Sequence, residues 1–368
     1  MGSELGLSLD IHQQRRARLG AKLERLRLKY FVVTSLRNIF YLTGFRGSAG
    51  IAVVGGGETT LWVDPRYTLQ AKQDAPGIEV IEVKSGLLKA VARRLRKAKA
   101  RRAGFEGDHL TCSQLRALEH EGHGKFRLQP ASGLVERLRV IKDAAEIDAI
   151  RQAARVTVAA FEESLPLVKP GARECDLAAE IEYRMRRHGA EGAAFETIVA
   201  SGLRAAYPHA RASDKALAHG ELVIFDLGAI LSGYAADMTR TVFLGKPSHR
   251  LANLYQAVLA AQRRAVGALR PGTRCCDVDA AARRSLKRRG LEKYFTHSTG
   301  HGVGLDIHEK PRLARTEKTR LKADSVVTAE PGVYLEGLGG IRLEDTVLVG
   351  EHRPEVLTPA SMEHWILS

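Results

Sequence analysis

Long apolar runs are missing from this chain of 368 residues. No stretch approaches the 18 apolar residues of a membrane-spanning helix, so no membrane anchor is expected. The first twenty residues carry charges without a preceding apolar run, which argues against a secretory signal peptide. Cysteine is scarce, and Cys112, Cys175, Cys275 and Cys276 lack the spacing of a zinc or iron–sulfur site. We therefore expect a protein of the reducing cytoplasm.

Acidic residues are outnumbered. Lys and Arg total 57 against 42 Asp and Glu, which gives a net charge of +15 and raises the question of nucleic-acid or anionic-membrane binding. Much of the excess lies in two predicted helical stretches, Leu87–Gly104 and Arg283–Gly290. The first has an apolar stripe at helical spacing, formed by Leu88, Val91, Leu95 and Ala98. No aromatic residues interleave with these charges, so we expect a solvated basic surface without a specific nucleic-acid partner.

The length and the patterning predict two domains. A helix over Ile11–Leu28 and short apolar runs such as YFVVTS, IAVVGGG and GIEVIEV indicate an α/β N-terminal domain. The glycine-rich FYLTGFRGSAG between them is interpreted as a loop. From about Leu134 the pattern changes to a long helical run. The predicted domains are residues 1–134 and 135–368.

The C-terminal domain contains an internal repeat. LVKPGARECDLAAEIEYRMRRHGA and ALRPGTRCCDVDAAARRSLKRRGL match when shifted by 101 residues, and each follows a long Ala-rich helical pattern. Each copy has a Pro-Gly turn, an Asp suited to capping a helix N-terminus, and a closing glycine. The shared positions are Pro170/Pro271, Gly171/Gly272, Arg173/Arg274, Cys175/Cys276, Asp176/Asp277 and Gly189/Gly290. Two similar halves, each with helices followed by strands, predict packing about a pseudo-twofold axis.

Each half also predicts a β-hairpin that carries two carboxylates. A hairpin centred on Leu231–Ser232 would place Asp226 opposite Asp237, and facing residues have Cβ atoms about 4.5–5.5 Å apart. A second hairpin centred on Gly337 would place Glu330 opposite Glu344. Arg342 would then share a face with Glu344, whereas Asp345 would point the other way because side chains alternate along a strand.

A histidine completes this set. His301 lies in HSTGHGVGLDIHE, where glycines let the backbone approach a crowded centre. A set of four carboxylates and one imidazole suits two hard divalent cations. Thiolates would instead indicate a zinc or iron–sulfur site, and three histidines a site for a single zinc ion. Manganese is the foremost candidate, with cobalt or zinc as alternatives. Two such ions make a nucleophile from water at neutral pH.

At this point the sequence resembles a known family. DLGAILSGYAADMTRT, HSTGHGVGLDIHE, TAEPGVY and IRLEDTV are similar to the signature blocks of the pita-bread metallopeptidases, and FYLTGFRGSAG with TTLWVDPRYTLQA resembles their creatinase/prolidase N-terminal domain. The resemblance covers nearly the whole chain. It implies an α/β (α+β) fold in which the C-terminal domain has a curved antiparallel sheet with pseudo-twofold symmetry. It also implies hydrolysis of Xaa-Pro bonds, proline-containing peptides as partners, and a homodimer.

The resemblance further assigns roles to individual residues. It implies that the metal ligands are Asp226, Asp237, His301, Glu330 and Glu344. Glu330 would also accept the proton of the nucleophile. His209 and His308 would contact substrate and handle a proton or the oxyanion, His297 would line the site, and Arg342 would steady a ligand carboxylate. Tyr234 is expected to be structural.

Four interpretations stay open on the sequence. The block forms favour an Xaa-Pro aminopeptidase that trims longer peptides, and an Xaa-Pro dipeptidase, or prolidase, has the same site. Creatinase shares the fold but needs no metal, so the presence of all five ligand types argues against it. A non-catalytic binding protein on the same fold would suit the basic charge, although such relatives usually lose ligands.

Overall fold

Two units make up the chain, Met1–Arg139 and Val140–Ser368. The computed structural model describes residues 2–362 and 366–367. Among those residues, no helix combines the length and the apolar character needed to cross a bilayer.

The N-terminal unit is built on a six-stranded sheet of order β4-β3-β2-β1-β5-β6. The strands are β1 Tyr30–Val33, β2 Ile51–Gly55, β3 Glu58–Val63, β4 Glu79–Glu82, β5 Arg102–Phe105 and β6 Arg127–Pro130. The β1–β2 and β2–β3 pairs are antiparallel, and the other pairs are parallel. The helices are α1 Gly2–Arg25, α2 Leu36–Thr43, α3 Thr68–Asp74, α4 Leu87–Lys97, α5 Cys112–Gly122 and α6 Glu136–Arg139.

Two sequence predictions in this unit were wrong in part. The basic helix ends at Lys97, because the chain turns at Lys99 with φ 49 and Arg102–Phe105 pairs as strand β5 with β1. Strand pairing that buries Ala103 and Phe105 therefore outweighs the helical pattern of the arginines and lysines. In FYLTGFRGSAG, the first four residues belong to α2, which ends at Gly44 in the left-handed region, and only the remainder is a loop.

The basic surface of α4 is partly neutralised within the unit. Lys89 and Arg93 lie 3.7 and 3.6 Å from Glu121, and Arg94 lies 2.7 Å from Glu58. Val91 and Leu95 of the predicted apolar stripe are buried. This geometry is that of an ordinary amphipathic surface helix.

Long and short helices alternate in the C-terminal unit: α7 Ala144–Ser164, α8 Glu174–Arg187, α9 His249–Ala268 and α10 Cys275–Lys287. The long helical run predicted from Leu134 is interrupted between α6 and α7. Asp143 caps α7 by accepting from the Glu146 N–H, and the Glu146 side chain accepts from the Asp143 N–H. This capping box starts a new helix at a point where the sequence pattern predicted that a single helix would continue.

The repeat is visible in the backbone hydrogen bonds. The N–H of Gly171 donates to the Leu217 carbonyl and that of Gly272 to the Leu321 carbonyl, at the equivalent turn of each half. The predicted capping role of the aspartates was wrong. Arg173 and Arg274 occupy the cap positions, and each forms an ion pair with the aspartate three residues later, at 2.7 and 2.8 Å.

The strands of this unit are mostly antiparallel. Four strands form a sheet of order β20-β12-β9-β8, five form β14-β13-β15-β18-β19, three form β11-β10-β7, and β16 pairs with β17. Their bounds are β7 Gly192–Ala193, β8 Ile198–Ser201, β9 Leu222–Leu227, β10 Ala229–Leu231, β11 Tyr234–Ala235, β12 Met238–Leu244, β13 Gly300–Gly302, β14 Glu309–Leu313, β15 Val326–Ala329, β16 Gly332–Leu335, β17 Gly339–Arg342, β18 Asp345–Leu348, β19 Glu355–Val356 and β20 Ile366–Leu367. The predicted pita-bread architecture therefore holds.

A buried ion pair joins the two halves of this unit. Arg240 on β12 is fully buried and donates to Asp345 on β18 at 2.8 Å. The guanidinium also donates to the backbone carbonyls of Thr239, Glu344, Thr358 and Ala360. Asp345 also accepts from Gln262 at 2.8 Å. Such a pair is stable only because both charges are fully hydrogen-bonded.

We expect Asp345→Ala to lower the free energy of unfolding of the C-terminal unit by about 3–5 kcal/mol, because it leaves Arg240 buried without its counter-charge. Urea unfolding followed by circular dichroism measures this. Asp277→Ala is the control: it breaks an exposed ion pair and should leave the unfolding midpoint nearly unchanged. Equal midpoints for the two variants would show that the buried pair does not hold the halves together.

Candidate metal centre

The first predicted hairpin forms with a different register. Its turn lies at Ser232–Gly233, where both residues have positive φ, and Leu231 pairs with Tyr234. Asp226 on β9 consequently faces Thr239 on β12, whereas the predicted partner was Asp237. Because the shift changes the pairing by two residues, Asp226 and Asp237 still lie on the same face of the ribbon. The two carboxylates are thus diagonal neighbours.

The second hairpin has the predicted register. Val333 pairs with Ile341, and Ala329 pairs with Asp345. Both pairs are centred on Gly337, and the same register sets Glu330 opposite Glu344. The predicted orientations of Arg342 and Asp345 are also confirmed. Arg342 and Glu344 both bond the Thr239 hydroxyl, whereas Asp345 points to Arg240 on the other side.

Two reciprocal contacts reveal the pseudo-twofold axis. The Thr241 hydroxyl donates to the Arg342 carbonyl at 2.9 Å, and the Thr346 hydroxyl donates to the Asp237 carbonyl at 2.7 Å. We call two residues mates when the pseudo-twofold axis relates them. Asp237 and Arg342 are mates, as are Thr241 and Thr346, and each pair is 105 residues apart in the sequence. The hairpins are therefore counterparts, but the carboxylates do not correspond one to one. The mate of Asp237 is Arg342, and the mate of Glu344 is Thr239.

The candidate ligand atoms converge. One ligand atom from each of Asp237, His301 and Glu344 lies within 4.8 Å of the others, and all three residues are buried. His301 Nε2 is 3.6 Å from Asp237 and 3.5 Å from Glu330. Asp226 lies beside this group and accepts from Arg342 at 2.6 Å. All five residues thus lie at one centre, three as a tight cluster with Glu330 and Asp226 at its side.

Burial and mutual repulsion dominate the electrostatics of this centre. Burial first, and then the charges of neighbouring carboxylates, raise the pKa values of Asp237 and Glu344 well above the ordinary range. Burial raises the pKa of Glu330 to about 7 against the opposing effect of Arg342. Carboxylates so placed hold protons unless a positive charge replaces them.

His301 is held as a neutral imidazole. Burial, with a smaller contribution from His308, lowers its pKa to about 4. Its Nδ1 lies 3.1 Å from the Gly302 carbonyl, which leaves Nε2 directed at the carboxylates. A ring N–H bonded to a carbonyl with the other nitrogen free is the usual arrangement of a metal-binding histidine.

Three further histidines, His209, His297 and His308, act near this cluster. The ring centroid of His308 is 4.3 Å from that of His301, and His308 is exposed. His297 Nε2 is 3.0 Å from the Tyr334 hydroxyl, and burial, followed by Arg342, lowers the pKa of His297 to about 3. His209 is exposed, and its charge contributes to lowering the pKa values of both His297 and His308.

Comparison with known proteins gives the family. Metallopeptidase family M24 matches residues 148–351, and the creatinase/prolidase N-terminal domain matches residues 15–141. The chain belongs to metallopeptidase family M24. The expected enzyme class and fold are thereby confirmed.

Relatives of this M24 metallopeptidase are similar over nearly their whole length. An Xaa-Pro dipeptidase of Pyrococcus furiosus is 37% identical over 327 residues, which cover 89% of this chain and 92% of that protein. The structure of an Xaa-Pro dipeptidase from Bacillus anthracis has a TM-score of 0.94 at 37% identity and covers 97% of this chain and 100% of its own. An X-Pro aminopeptidase from Thermotoga maritima has a TM-score of 0.88 at 35% identity, with 94% and 100% covered.

The donor set of this M24 enzyme fits a divalent cation. Asp226 Oδ1 is buried and, within residues 2–362 and 366–367, has no hydrogen-bond partner. A buried carboxylate oxygen without a hydrogen bond costs free energy, and so does the repulsion among the neighbouring carboxyls whose pKa values are raised. A bound cation would relieve both costs. The oxygen-rich ligand set is that of a hard or borderline metal.

Two residues of the site were missed on the sequence. The Tyr334 hydroxyl contacts both His297 and Arg342, and the Thr239 hydroxyl donates to Glu344 at 2.6 Å. Strand alternation could have identified both. Tyr334 lies four residues after Glu330 and Thr239 two after Asp237, each on the same face.

We expect the metal-free enzyme to lose stability as the pH rises from about 7.5 to about 9. In this window histidines are largely neutral in both the folded and the unfolded state, whereas the raised carboxyl pKa values mean that the folded state binds more protons than the unfolded state. Folding is therefore favoured at the lower pH. Urea midpoints of EDTA-treated protein measure the effect.

Added manganese should abolish or reverse this trend. The carboxylates lose their protons as the pH rises, so the folded protein binds the divalent ions more tightly at higher pH. The variant Glu344→Gln should flatten the pH dependence of the metal-free protein. A metal-free stability that rises across this window would contradict the raised pKa values.

Proposed function

We propose that this enzyme hydrolyses Xaa-Pro bonds in peptides, with Xaa-Pro dipeptides as its preferred substrates. The supporting observation is the buried cluster of Asp237, His301 and Glu344, with Glu330 at its side, in a family M24 chain. Its similarity to Xaa-Pro dipeptidases of P. furiosus and B. anthracis over nearly the full length supports the substrate class.

The ligands in this proposal are Asp226, Asp237, His301, Glu330 and Glu344. Two divalent ions held there, for which we propose manganese, would lower the pKa of water toward neutrality and supply positive charge to a developing oxyanion. The orphaned Asp226 oxygen and the neutral His301 support this set, because a metal needs an unprotonated donor from each residue.

Glu330 is the proposed general base. Its carboxylate lies 3.5 Å from His301 Nε2 within the cluster, where it can accept the proton of the nucleophile and pass it to the leaving group. Its position is fixed from two directions. The Glu330 N–H donates to the Thr299 carbonyl at 2.8 Å, and the Thr328 hydroxyl lies 3.4 Å from its carboxylate.

The exposed histidines are the proposed contacts to substrate. The His308 ring lies beside that of His301 at an interplanar angle of 58°, and its imidazole can donate to the oxygen on which negative charge develops. His209, whose charge acts on both His297 and His308, is the proposed second donor. Arg342 holds Asp226 and Tyr334 at 2.6 and 2.9 Å, and so fixes one ligand and the hydroxyl that contacts His297.

Proline explains the need for a dedicated enzyme. The bond before proline is a tertiary amide without an N–H, so peptidases that bind that hydrogen fail on it. A site built from carboxylates, imidazoles and bound cations recognises the carbonyl and needs no such donor.

A second candidate is the Xaa-Pro aminopeptidase expected from the sequence blocks. The similarity to the T. maritima X-Pro aminopeptidase favours it. The two activities differ in whether chain beyond proline is accepted. Homodimer formation, which the resemblance implies, stays a prediction.

We expect Glu330→Gln to lower kcat by at least about 100-fold while the protein remains folded, because glutamine cannot accept the proton. Initial rates on Ala-Pro measure this. Glu336→Gln, on an exposed residue at the tip of the same hairpin, is the matched control and should retain full activity. Full activity of Glu330→Gln would exclude Glu330 as the base.

The substrate preference has its own test. With added manganese, we expect release of alanine from Ala-Pro at a higher kcat/KM than from Ala-Pro-Ala, measured by chromatography of the products. A clear preference for Ala-Pro-Ala would establish the aminopeptidase instead. Cleavage of neither peptide would refute the proposed function.

A further inference from the structure

A fully buried carboxylate lies outside the metal centre. Glu174, the first residue of α8, is 0% exposed and accepts five hydrogen bonds. Its Oε1 accepts from the N–H and hydroxyl of Ser201 at 2.7 and 2.8 Å. Its Oε2 accepts from Arg204 at 3.0 Å, and from the N–H and hydroxyl of Ser213 at 3.2 and 2.7 Å.

These donors lie at the two ends of one segment. We name residues 201–213 the His209 loop; apart from a short 3-10 helix over Gly202–Ala206, its central residues have no regular secondary structure. Glu174 binds Ser201 at the start of this loop and Ser213 at its end. Arg204 adds an internal tie to the Arg211 carbonyl at 2.5 Å. One carboxylate therefore closes the loop at its base.

The loop leads directly to the metal centre. The Pro208 carbonyl accepts from Arg342 at 2.9 Å, and the same guanidinium donates to Asp226 and Tyr334. His209 follows Pro208, and its charge acts on His297 and His308. The position of His209 consequently depends on how the ends of the loop are held.

Glu174 remains ionised at neutral pH. Burial alone would raise its pKa, but the donors from Ser213 and Ser201 and the charge of Arg204 hold the pKa below its ordinary value. A charged acceptor makes stronger hydrogen bonds than a neutral one, and removing it would leave several buried donors unpaired.

The other half of the unit shows that the fold does not require this carboxylate. The repeat equivalent of Glu174, 101 residues later, is Cys275, which is also fully buried and whose thiol pKa burial raises to about 12. The same backbone hydrogen bond forms in both halves. The Glu174 N–H donates to the Lys215 carbonyl, and the Cys275 N–H donates to the Thr319 carbonyl. Only the half that carries the His209 loop has a charge at this position.

We propose that Glu174 is a positioning residue that locks the base of the His209 loop and thereby holds His209 in place for substrate. The inference rests on the proposed role of His209 in Xaa-Pro hydrolysis. Glu174 touches no reacting atom and acts through the loop.

A double-mutant cycle tests this. Glu174→Gln keeps the size of the side chain but replaces one carboxylate oxygen, an acceptor, with an NH2 group. This donor would face the donors of Ser213 and Arg204. We expect kcat/KM for Ala-Pro to fall about 10- to 100-fold, the cost of misplacing a contact residue by about 1 Å. In a His209→Ala background the same change should cost less than about twofold, because the effect acts through a side chain already removed.

Asp176→Asn is the matched control on the same helix, since Asp176 is exposed and forms its ion pair with the exposed Arg173. It should leave kcat/KM unchanged in both backgrounds. If Glu174→Gln does not fold, Ser213→Ala removes one loop-end donor and should show a smaller loss with the same dependence on His209.

Amide hydrogen exchange gives a readout independent of turnover. Exchange over residues 202–212 should rise in Glu174→Gln and not in Asp176→Asn. Equal losses of activity with and without His209, or unchanged exchange, would overturn the positioning role. Wild-type protein that cleaves neither Ala-Pro nor Ala-Pro-Ala would instead refute the proposed function, and the exchange experiment would still decide the loop claim.

Discussion

The centre of the C-terminal unit is organised by the cost of burying four carboxylates together. Asp226, Asp237, Glu330 and Glu344 repel one another where water cannot screen them, and burial raises the pKa values of the last three. The surrounding fold supplies compensation. Burial alone would lower the pKa of Arg342, yet Tyr334 and the nearby carboxylates raise it well above its ordinary value, so this cation is permanent.

Hydroxyl groups provide the rest of that compensation. Thr239 donates to Glu344, Thr328 lies beside Glu330, and Thr346 and Thr241 fix the backbones of Asp237 and Arg342. These threonines lie on strands whose other face packs into the core, where β-branched residues are favoured. The same residues therefore stiffen the sheet and orient the ligands, which is why the site needs little flexible structure of its own.

The sequence predicted the architecture and all five residues that meet at the centre, because side-chain alternation survives an error in pairing. It did not predict the register of the first hairpin. The turn uses Ser232 and Gly233, both with positive φ, and a Ser-Gly pair indicates such a turn less strongly than Asn-Gly. It also misassigned Asp176 and Asp277 as caps: each lies inside the first helical turn and pairs with the arginine at the cap position, three residues earlier. Tyr334 was missed because an aromatic residue on a buried strand is ordinarily core.

The pseudo-twofold axis has a consequence for why the unit is one chain. Across the axis, Asp237 corresponds to Arg342, Glu344 to Thr239, and Asp345 to Arg240, so that each of these three carboxylates has a hydrogen-bond donor as its mate. Two identical subunits could not achieve this, because symmetry would force the same residue onto both sides. Gene fusion after duplication permits acid on one side and donor on the other. An acid on one side of the axis and a donor on the other is thus possible for two halves whose sequences can diverge, and impossible for two copies of one chain.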